Sequence, residues 1–215
     1  MRMNARSVRR LVARLSLTFV ASAVLLAQTP QENAADAERV IKALDIKQGS
    51  IVGEIGAGGG ELTILIAKAV GPDGRVFSNE LNGDRLRAIG VATAAAGLTN
   101  VTLVEGKEAD ANLPEACCHA IFMRNVYHHF EDPPAMNASL LKALKPGGKL
   151  AVMDFGPPPG AEAETPAGRS KDGHHGVTAP TVERELKAAG FEIASAIEHG
   201  FRGVFVVAGK SATPD

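Results

Sequence analysis

The stretch that decides the fold reads Val52-Gly53-Glu54-Ile55-Gly56-Ala57-Gly58-Gly59-Gly60-Glu61-Leu62-Thr63. An apolar run ends in an acidic residue, a glycine-rich turn follows, and an amphipathic helix begins directly after the turn. This order is typical of a nucleotide-type cofactor site at the end of the first strand of an α/β sheet. Glycine suits such a loop because the backbone must turn sharply and approach a ligand without an intervening Cβ. A glycine-rich loop that binds no ligand is the alternative.

The spacing of the glycines decides against a dinucleotide fingerprint. That fingerprint reads G-x-G-x-x-G, so counting from Gly56 it requires glycine at position 61. Glu61 stands there instead. The pattern present is E-x-G-x-G-x-G, which runs from Glu54 to Gly60.

Predicted strands and helices alternate along the rest of the chain. The predicted strands are 51–54, 75–80, 101–104, 120–124, 149–154, 191–197 and 204–208. The predicted helices are 33–45, 61–70, 83–96, 133–145 and 180–189. Such alternation predicts one α/β domain of three αβα layers, with a doubly wound, Rossmann-like and mostly parallel sheet and right-handed crossovers.

The charge distribution argues against a nucleic-acid partner. The net charge of the chain is −1, but its first fourteen residues contain five arginines, and no acidic residue precedes Glu32. Without residues 1–27 the remainder has 18 basic and 24 acidic side chains, a net charge of about −6. Phosphate backbones are bound by basic surfaces, so we predict that this domain binds no nucleic acid.

The first 27 residues have the pattern of a targeting segment. The arginine-rich start precedes the apolar run 15–27, which is short for a membrane span. We predict that residues 1–27 are a signal peptide cleaved near Ala27 or an N-terminal membrane anchor, and that 28–215 form the functional domain. The protein is then exported (periplasmic or secreted) or membrane-tethered. The alternative is a cytoplasmic protein whose true start lies downstream.

The chain has two cysteines, and they are neighbours. Cys117 and Cys118 are too close to supply a disulfide framework. His119 follows them, but no second ligand pair has metal-site spacing, so we predict no metal site. A loop that leads into a strand explains the three residues.

Further motifs follow the glycine loop in a fixed order. They are Glu80 at the end of the second strand, Val104-Glu105-Gly106 with Leu113-Pro114, Asn125-Val126-Tyr127-His128-His129-Phe130, and Leu144-Lys145-Pro146-Gly147-Gly148. In order and spacing the whole set resembles the class I S-adenosylmethionine (SAM)-dependent methyltransferases, of the small-molecule, type 11/25-like kind, over residues 33 to 209. The resemblance implies a seven-stranded sheet with an antiparallel last strand, SAM as cofactor, and methyl transfer to a small-molecule acceptor by domain 28–215.

The resemblance also implies which residues hold the cofactor. The glycine loop lies under the methionine half, and the motif acid Glu54 orients it. An acid shortly after the third strand often bonds the adenine amino group, but Lys107 stands in the usual place, so Glu108 or the preferred Asp110 must serve. The implied cofactor-binding residues are Glu54, Gly56, Ala57, Gly58, Gly60, Glu80, Leu81, Glu108, Asp110 and Asn125.

The position of Glu80 suggests a role even without the family resemblance. An acidic side chain at the end of the second strand meets the two hydroxyls of a ribose. A nicotinamide enzyme uses the same device, so Glu80 indicates a ribose rather than one cofactor. A solvated acid at a strand end is the alternative.

Three residues near the predicted crevice are candidates for catalysis. His128 and His129 follow the fourth strand, and Asp154 ends the fifth, so any of them is a candidate general base for the acceptor. The histidines have a structural alternative, in which they only hold the turn. Segment 156–178 is long for a loop in a compact domain, and the resemblance implies that it helps to shape the acceptor pocket.

Two other functions remain open at this stage. One is an NAD-dependent oxidoreductase, against which the glycine spacing and the absence of a Tyr-x-x-x-Lys pair count. The other is a non-catalytic binding module on the same fold. SAM is made in the cytosol, so an exported protein that needs no SAM is consistent with this alternative. The sequence leaves the acceptor and the oligomeric state open.

Overall fold

Seven strands and six α-helices are formed by the described part of the chain. The computed structural model describes residues 28–160, 164–169, 176–198 and 203–212. The strands are β1 (Ile51–Ile55), β2 (Arg75–Glu80), β3 (Val101–Glu105), β4 (Cys118–Arg124), β5 (Leu144–Asp154), β6 (Glu192–Glu198) and β7 (Val204–Gly209). The helices are α1 (Pro30–Leu44), α2 (Glu61–Val70), α3 (Gly83–Ala95), α4 (Pro133–Ala143), α5 (Pro166–Arg169) and α6 (Ala179–Ala188), and a 3₁₀ turn covers Tyr127–His129.

All seven strands belong to one sheet. Their order is β3-β2-β1-β4-β5-β7-β6. The first five run parallel to one another, whereas β7 runs antiparallel to both β5 and β6. The predicted Rossmann-like α/β sheet of seven strands with an antiparallel last strand is therefore confirmed.

Helices cover both faces of the sheet because its central strands are apolar on both sides. Along β4, Phe122 belongs to a core layer with α1 and α2, and Ile121 and Met123 belong to the opposite layer with α4 and α6. All three side chains are buried. A continuous apolar run is what a parallel strand needs when both of its faces are covered.

The first helix begins three residues earlier than predicted. Thr29 caps it: its side-chain oxygen accepts from the Glu32 N–H at 3.2 Å, and its own N–H donates to the Glu32 carboxylate at 2.8 Å. This reciprocal capping box satisfies two backbone groups at the helix start, and Pro30 fits the first helical position.

The fifth strand begins five residues earlier than predicted. The Pro146-Gly147-Gly148 sequence favours a turn before the strand, but Leu144 pairs with Cys118, so β5 begins before that sequence. The register shifts between Cys118 and Ala120, and this irregularity accommodates the extra residues. Helix α4 correspondingly ends at Ala143 rather than at 145.

The two cysteines form a disulfide at the start of β4. Cys118 is buried in the core, and the bond joins it to its neighbour Cys117. Because the bonded residues are adjacent, the bond ties no distant parts of the chain together.

The predicted targeting segment, residues 1–27, lies outside the described residues. Within the described ranges, no helix combines the length and the apolar character that a bilayer crossing requires.

Candidate functional site

A cavity of about 640 Å³ opens at the carboxyl ends of β1, β2 and β4. This is the edge at which open α/β sheets bind their ligands. The lining residues are Gln28, Glu54, Ile55, Gly56, Ala57, Gly58, Gly59, Glu61, Asn79, Glu80, Leu81, Arg85, Lys107, Glu108, Arg124, Asn125, Val126, His129, Phe130, Glu131 and Met136.

The glycine loop after β1 forms one wall of this cavity. Gly56 has φ of +66°, and a Cβ there would overlap the Val126 side chain, so both conformation and space require glycine. The Ala57 N–H donates to the Asn79 carbonyl at 2.8 Å, which fastens the loop to β2. Gly60 lies behind the wall as the N-cap of α2, so it shapes the loop without lining the cavity.

Glu80 lies at the end of β2, where the sequence predicted a ribose contact. One carboxylate oxygen, Oε2, accepts from the Gly58 N–H at 2.9 Å. The other, Oε1, accepts from the N–H groups of Leu81 and Asn82 at 3.0 and 3.1 Å. These three bonds fix the carboxylate at the cavity wall, and its remaining lone pairs can accept from a ligand.

The motif acid Glu54 lies at the base of the cavity and is almost fully buried. Its carboxyl group accepts a hydrogen bond from Thr63 Oγ1, which in turn lies 2.8 Å from Ser78 Oγ. Burial raises the pKa of Glu54 to about 8, against the opposing effects of the Thr63 hydrogen bond and the nearby Arg124. A pKa of about 8 leaves this group largely protonated at neutral pH.

The two candidate adenine contacts lie in different places. Glu108 lines the cavity, as does the unexpected Lys107. Asp110 is exposed and absent from the lining, and its Oδ1 accepts from the Asn112 N–H at 2.7 Å. Of the two acids, the one that was not preferred from the sequence, Glu108, therefore lies where a ligand in the cavity could meet it. Lys107 and Asp110 are bridged to each other across a tight turn, and Glu108 lies within that turn.

Two neighbouring polar residues leave β4 at the cavity. Asn125 has φ of +56°, a conformation that asparagine tolerates better than most residues, and its N–H donates to the Met153 carbonyl at 2.8 Å. Arg124 Nη1 bonds Asn33 Oδ1 at 2.6 Å and Asp36 Oδ2 at 3.0 Å. The contribution of α1 to this wall was not predicted, because these partners are about ninety residues distant in sequence.

The three candidate bases separate into one cavity residue and one buried pair. His129 lines the cavity. His128 and Asp154 are each only 3% exposed, and His128 Nδ1 lies 2.8 Å from Asp154 Oδ1. Asp154 Oδ2 also accepts from the His128 N–H at 3.2 Å. A base must reach the acceptor, and of these three residues only His129 lines the cavity.

The sheet order and the glycine loop define the class I SAM-dependent methyltransferases, as the sequence motifs predicted. A family model described as a methyltransferase domain matches residues 25–196, so the chain belongs to that family. This assignment confirms the predicted family and decides against the NAD-dependent oxidoreductase.

Known relatives agree with the assignment. The chain is 34% identical over 127 residues to a ubiquinone/menaquinone biosynthesis C-methyltransferase of Pseudomonas fluorescens, covering 54% of this chain and 46% of that protein. It is 28% identical over 123 residues to a nocamycin O-methyltransferase of Saccharothrix syringae, covering 57% and 44%. The chain thus spans about half the length of the curated relatives it matches.

Solved structures agree on the fold. A SAM-dependent methyltransferase from Aquifex aeolicus superposes with a TM-score of 0.69 at 22% identity. The match covers 85% of this chain and 99% of that one.

Proposed function

We propose that this protein binds SAM in the cavity and transfers its methyl group to a small-molecule acceptor. The observation that carries the proposal is the arrangement of Glu54, the glycine loop and Glu80 along one cavity. A ligand with an amino-acid end and a ribose fits that order. Methyl transfer from a sulfonium needs alignment and exclusion of water more than it needs acid–base groups, and a single cavity that takes both molecules can align them.

The charges of the lining suit a cationic donor. Besides the largely protonated Glu54, four carboxylates line the cavity, against three cationic side chains. SAM carries a sulfonium and an ammonium group beside one carboxylate. The acids therefore favour the donor over the neutral product that remains after transfer.

The cofactor-binding roles of the individual residues are part of this proposal. The glycine loop and Glu54 serve the methionine portion, with Gly60 supporting the loop from behind. Glu80 and Leu81 serve the ribose, Glu108 serves the adenine, and Asn125 contacts the cofactor or the acceptor. Their common place along the cavity or directly behind it supports this distribution.

His129 is the candidate general base. It is exposed on the cavity wall with Phe130 and Glu131, where an acceptor bound in the cavity could meet its ring. A base is needed where the accepting oxygen, nitrogen or carbon carries a proton of high pKa. The names of the two matched relatives, a C-methyltransferase and an O-methyltransferase, support an acceptor of that type.

Direct binding and transfer measurements test the proposal. The purified domain is titrated by calorimetry with SAM and separately with NAD⁺ and NADH, and then incubated with methyl-labelled SAM and a panel of hydroquinones, phenols and amines. Heat with SAM and label in one acceptor class are expected. Heat with NAD⁺ but not with SAM contradicts the proposal, and SAM binding without transfer to any acceptor favours the binding module.

We further propose that residues 1–27 direct the protein to the membrane or beyond it. The arginine-rich start and the apolar run 15–27 support this. The mature N-terminus, determined by mass spectrometry together with the cell fraction that contains the protein, tests it. A soluble cytosolic protein that begins downstream of residue 27 contradicts it.

A further inference from the structure

A buried polar cluster lies behind the turn that carries His129. It consists of Tyr127 in that turn, Asn137 of α4, Arg169 at the end of α5 and Glu185 of α6. Tyr127, Asn137 and Arg169 are fully buried. The cluster therefore joins four segments of the chain on the helix-covered side of the turn.

Specific contacts connect the four side chains. Arg169 Nη1 lies 3.1 Å from Glu185 Oε1 and donates to Oε2 at the same distance. The Arg169 guanidinium also lies 5.9 Å from the centre of the Tyr127 ring. Asn137 Nδ2 donates to the Tyr127 hydroxyl at 2.8 Å. Burial, and then the neighbouring Glu185, raise the pKa of Tyr127, so its hydroxyl stays neutral and can donate to that carboxylate.

A contribution to stability alone does not explain why the buried cluster contains the charged Arg169. Among the described residues, Arg169 Nε and Nη2 and Asn137 Oδ1 have no hydrogen-bond partner. Burying a guanidinium with two nitrogens that lack a hydrogen-bond partner is unfavourable, and apolar residues of similar volume often serve as well as a buried ion pair. A role in fixing the position of a neighbouring part of the chain explains the Arg169–Glu185 ion pair better.

The contacts of the turn indicate what that role is. His128, the middle residue of the turn, is bonded to Asp154 at the end of β5. Tyr127, its first residue, is held by the cluster. The turn is thus fixed through two consecutive residues, and the next residue is His129, which lines the cavity.

We propose that Arg169 is a positioning residue for acceptor binding, acting through Glu185 and Tyr127 to fix the turn that presents His129 to the cavity. This rests on the proposed function, in which His129 belongs to the acceptor end. Arg169 belongs to the described stretch 164–169 between β5 and α6. Its contacts with Glu185 and the Tyr127 ring tie this stretch to the turn that ends at His129.

Three variants test the proposal. Arg169→Met leaves Glu185 uncompensated, and the double variant Arg169→Met with Glu185→Leu removes both charges without that penalty. Tyr127→Phe removes only the hydroxyl. The matched control is Glu183→Gln, which disturbs a 2.5 Å ion pair with Lys187 on the surface of the same helix.

Three measurements are made on each protein: the unfolding midpoint Tm, the affinity for S-adenosylhomocysteine, and the NMR signals of the His129 ring. The signals are recorded on histidine-labelled protein, free and saturated with S-adenosylhomocysteine, and are assigned with a His129→Gln sample. None of these measurements requires the acceptor to be known.

We expect the Arg169–Glu185 ion pair to affect the position of His129 as well as the stability of the protein. Arg169→Met should lower Tm by roughly 10 °C, and the double variant should recover most of that loss. The His129 signals should nevertheless shift or broaden in the double variant and in Tyr127→Phe, and remain unchanged in Glu183→Gln. Affinity for S-adenosylhomocysteine should stay within about twofold, because the donor contacts lie on other elements.

Wild-type His129 signals in the double variant and in Tyr127→Phe would overturn the proposal, because the cluster would then be only structural. Should the double variant fail to fold, Tyr127→Phe alone decides. Failure of the wild-type protein to bind S-adenosylhomocysteine is a different result. It contradicts the proposed function and leaves the His129 comparison in the free protein intact.

Discussion

The carboxylate of Glu80 accepts a hydrogen bond from the Gly58 N–H at 2.9 Å, so the end of the second strand holds the loop that follows the first. The same side chain accepts from two further N–H groups in the turn after β2. The acid is thereby oriented before any ligand enters, which lowers the entropic cost of binding. One residue organises the donor site and remains able to bind a ribose.

Glu80→Ala should weaken SAM binding about tenfold or more, because a hydrogen bond to a charged group contributes about 1.5–3 kcal/mol. Calorimetric titration measures the affinity. Asp84→Ala is the control, since Asp84 is exposed on the first turn of α3 and pairs with Arg87 outside the cavity lining. Unchanged affinity in Glu80→Ala would refute the ribose role.

The two acids after β3 should behave differently when each is replaced by alanine. Glu108 lines the cavity, so Glu108→Ala should reduce SAM affinity several-fold, the scale of about 1 kcal/mol for one hydrogen bond. Asp110→Ala should leave the affinity unchanged, since its carboxylate bonds Asn112 instead. Parallel titrations with SAM and with S-adenosylhomocysteine make the comparison. A loss confined to Asp110→Ala would restore the original preference.

Local patterns in the sequence predict the fold and the donor half of the site. The glycine loop and Glu80 are recognisable because strand, turn and helix signals stand next to each other in the chain. The predicted and observed strand boundaries differ most at β5. There the pairing between Leu144 and Cys118 extends the strand through a Pro-Gly-Gly sequence that favours a turn. That pairing depends on the neighbouring strand, which local propensity does not describe.

The rest of the site depends on contacts between distant residues. Arg124 meets Asn33 across 91 positions of sequence, and Arg169 meets Glu185 through the packing of α5 against its neighbours. Neither pair follows a spacing rule. The sequence likewise ranks His128, His129 and Asp154 as equal candidate bases, and only the packing of the turn separates them.

Asp154→Ala should destabilise the protein without affecting the donor site. It leaves the buried His128 without its carboxylate partner, a change that costs about 2–4 kcal/mol, or roughly 5–10 °C in Tm for a domain of this size. Thermal unfolding gives the Tm, and calorimetry gives the SAM affinity, which should not change. The control is Glu38→Ala on the exposed face of α1. A large loss of SAM affinity with normal Tm would show that Asp154 acts at the ligand.

Replacing Glu54 should change how stability depends on pH. The unfolded chain releases the Glu54 proton near pH 4.5, whereas burial keeps it on the folded protein up to about pH 8. Below pH 4.5 Glu54 is protonated in both the folded and the unfolded state, so its contribution to the free energy of unfolding is at its maximum. Between these values the folded state binds more protons than the unfolded state, so stability falls as the pH rises and levels off above about 8.

Glu54→Gln cannot titrate, so the stability of the wild type relative to this variant should fall from about pH 5 to about pH 8. Urea unfolding at pH 5, 6, 7 and 8 measures the difference. Glu192→Gln is the control, since Glu192 is exposed on the edge strand β6. A difference that is constant over this range would mean that Glu54 is ionised in the folded protein. Its contact with the Thr63 hydroxyl would then outweigh the cost of burial.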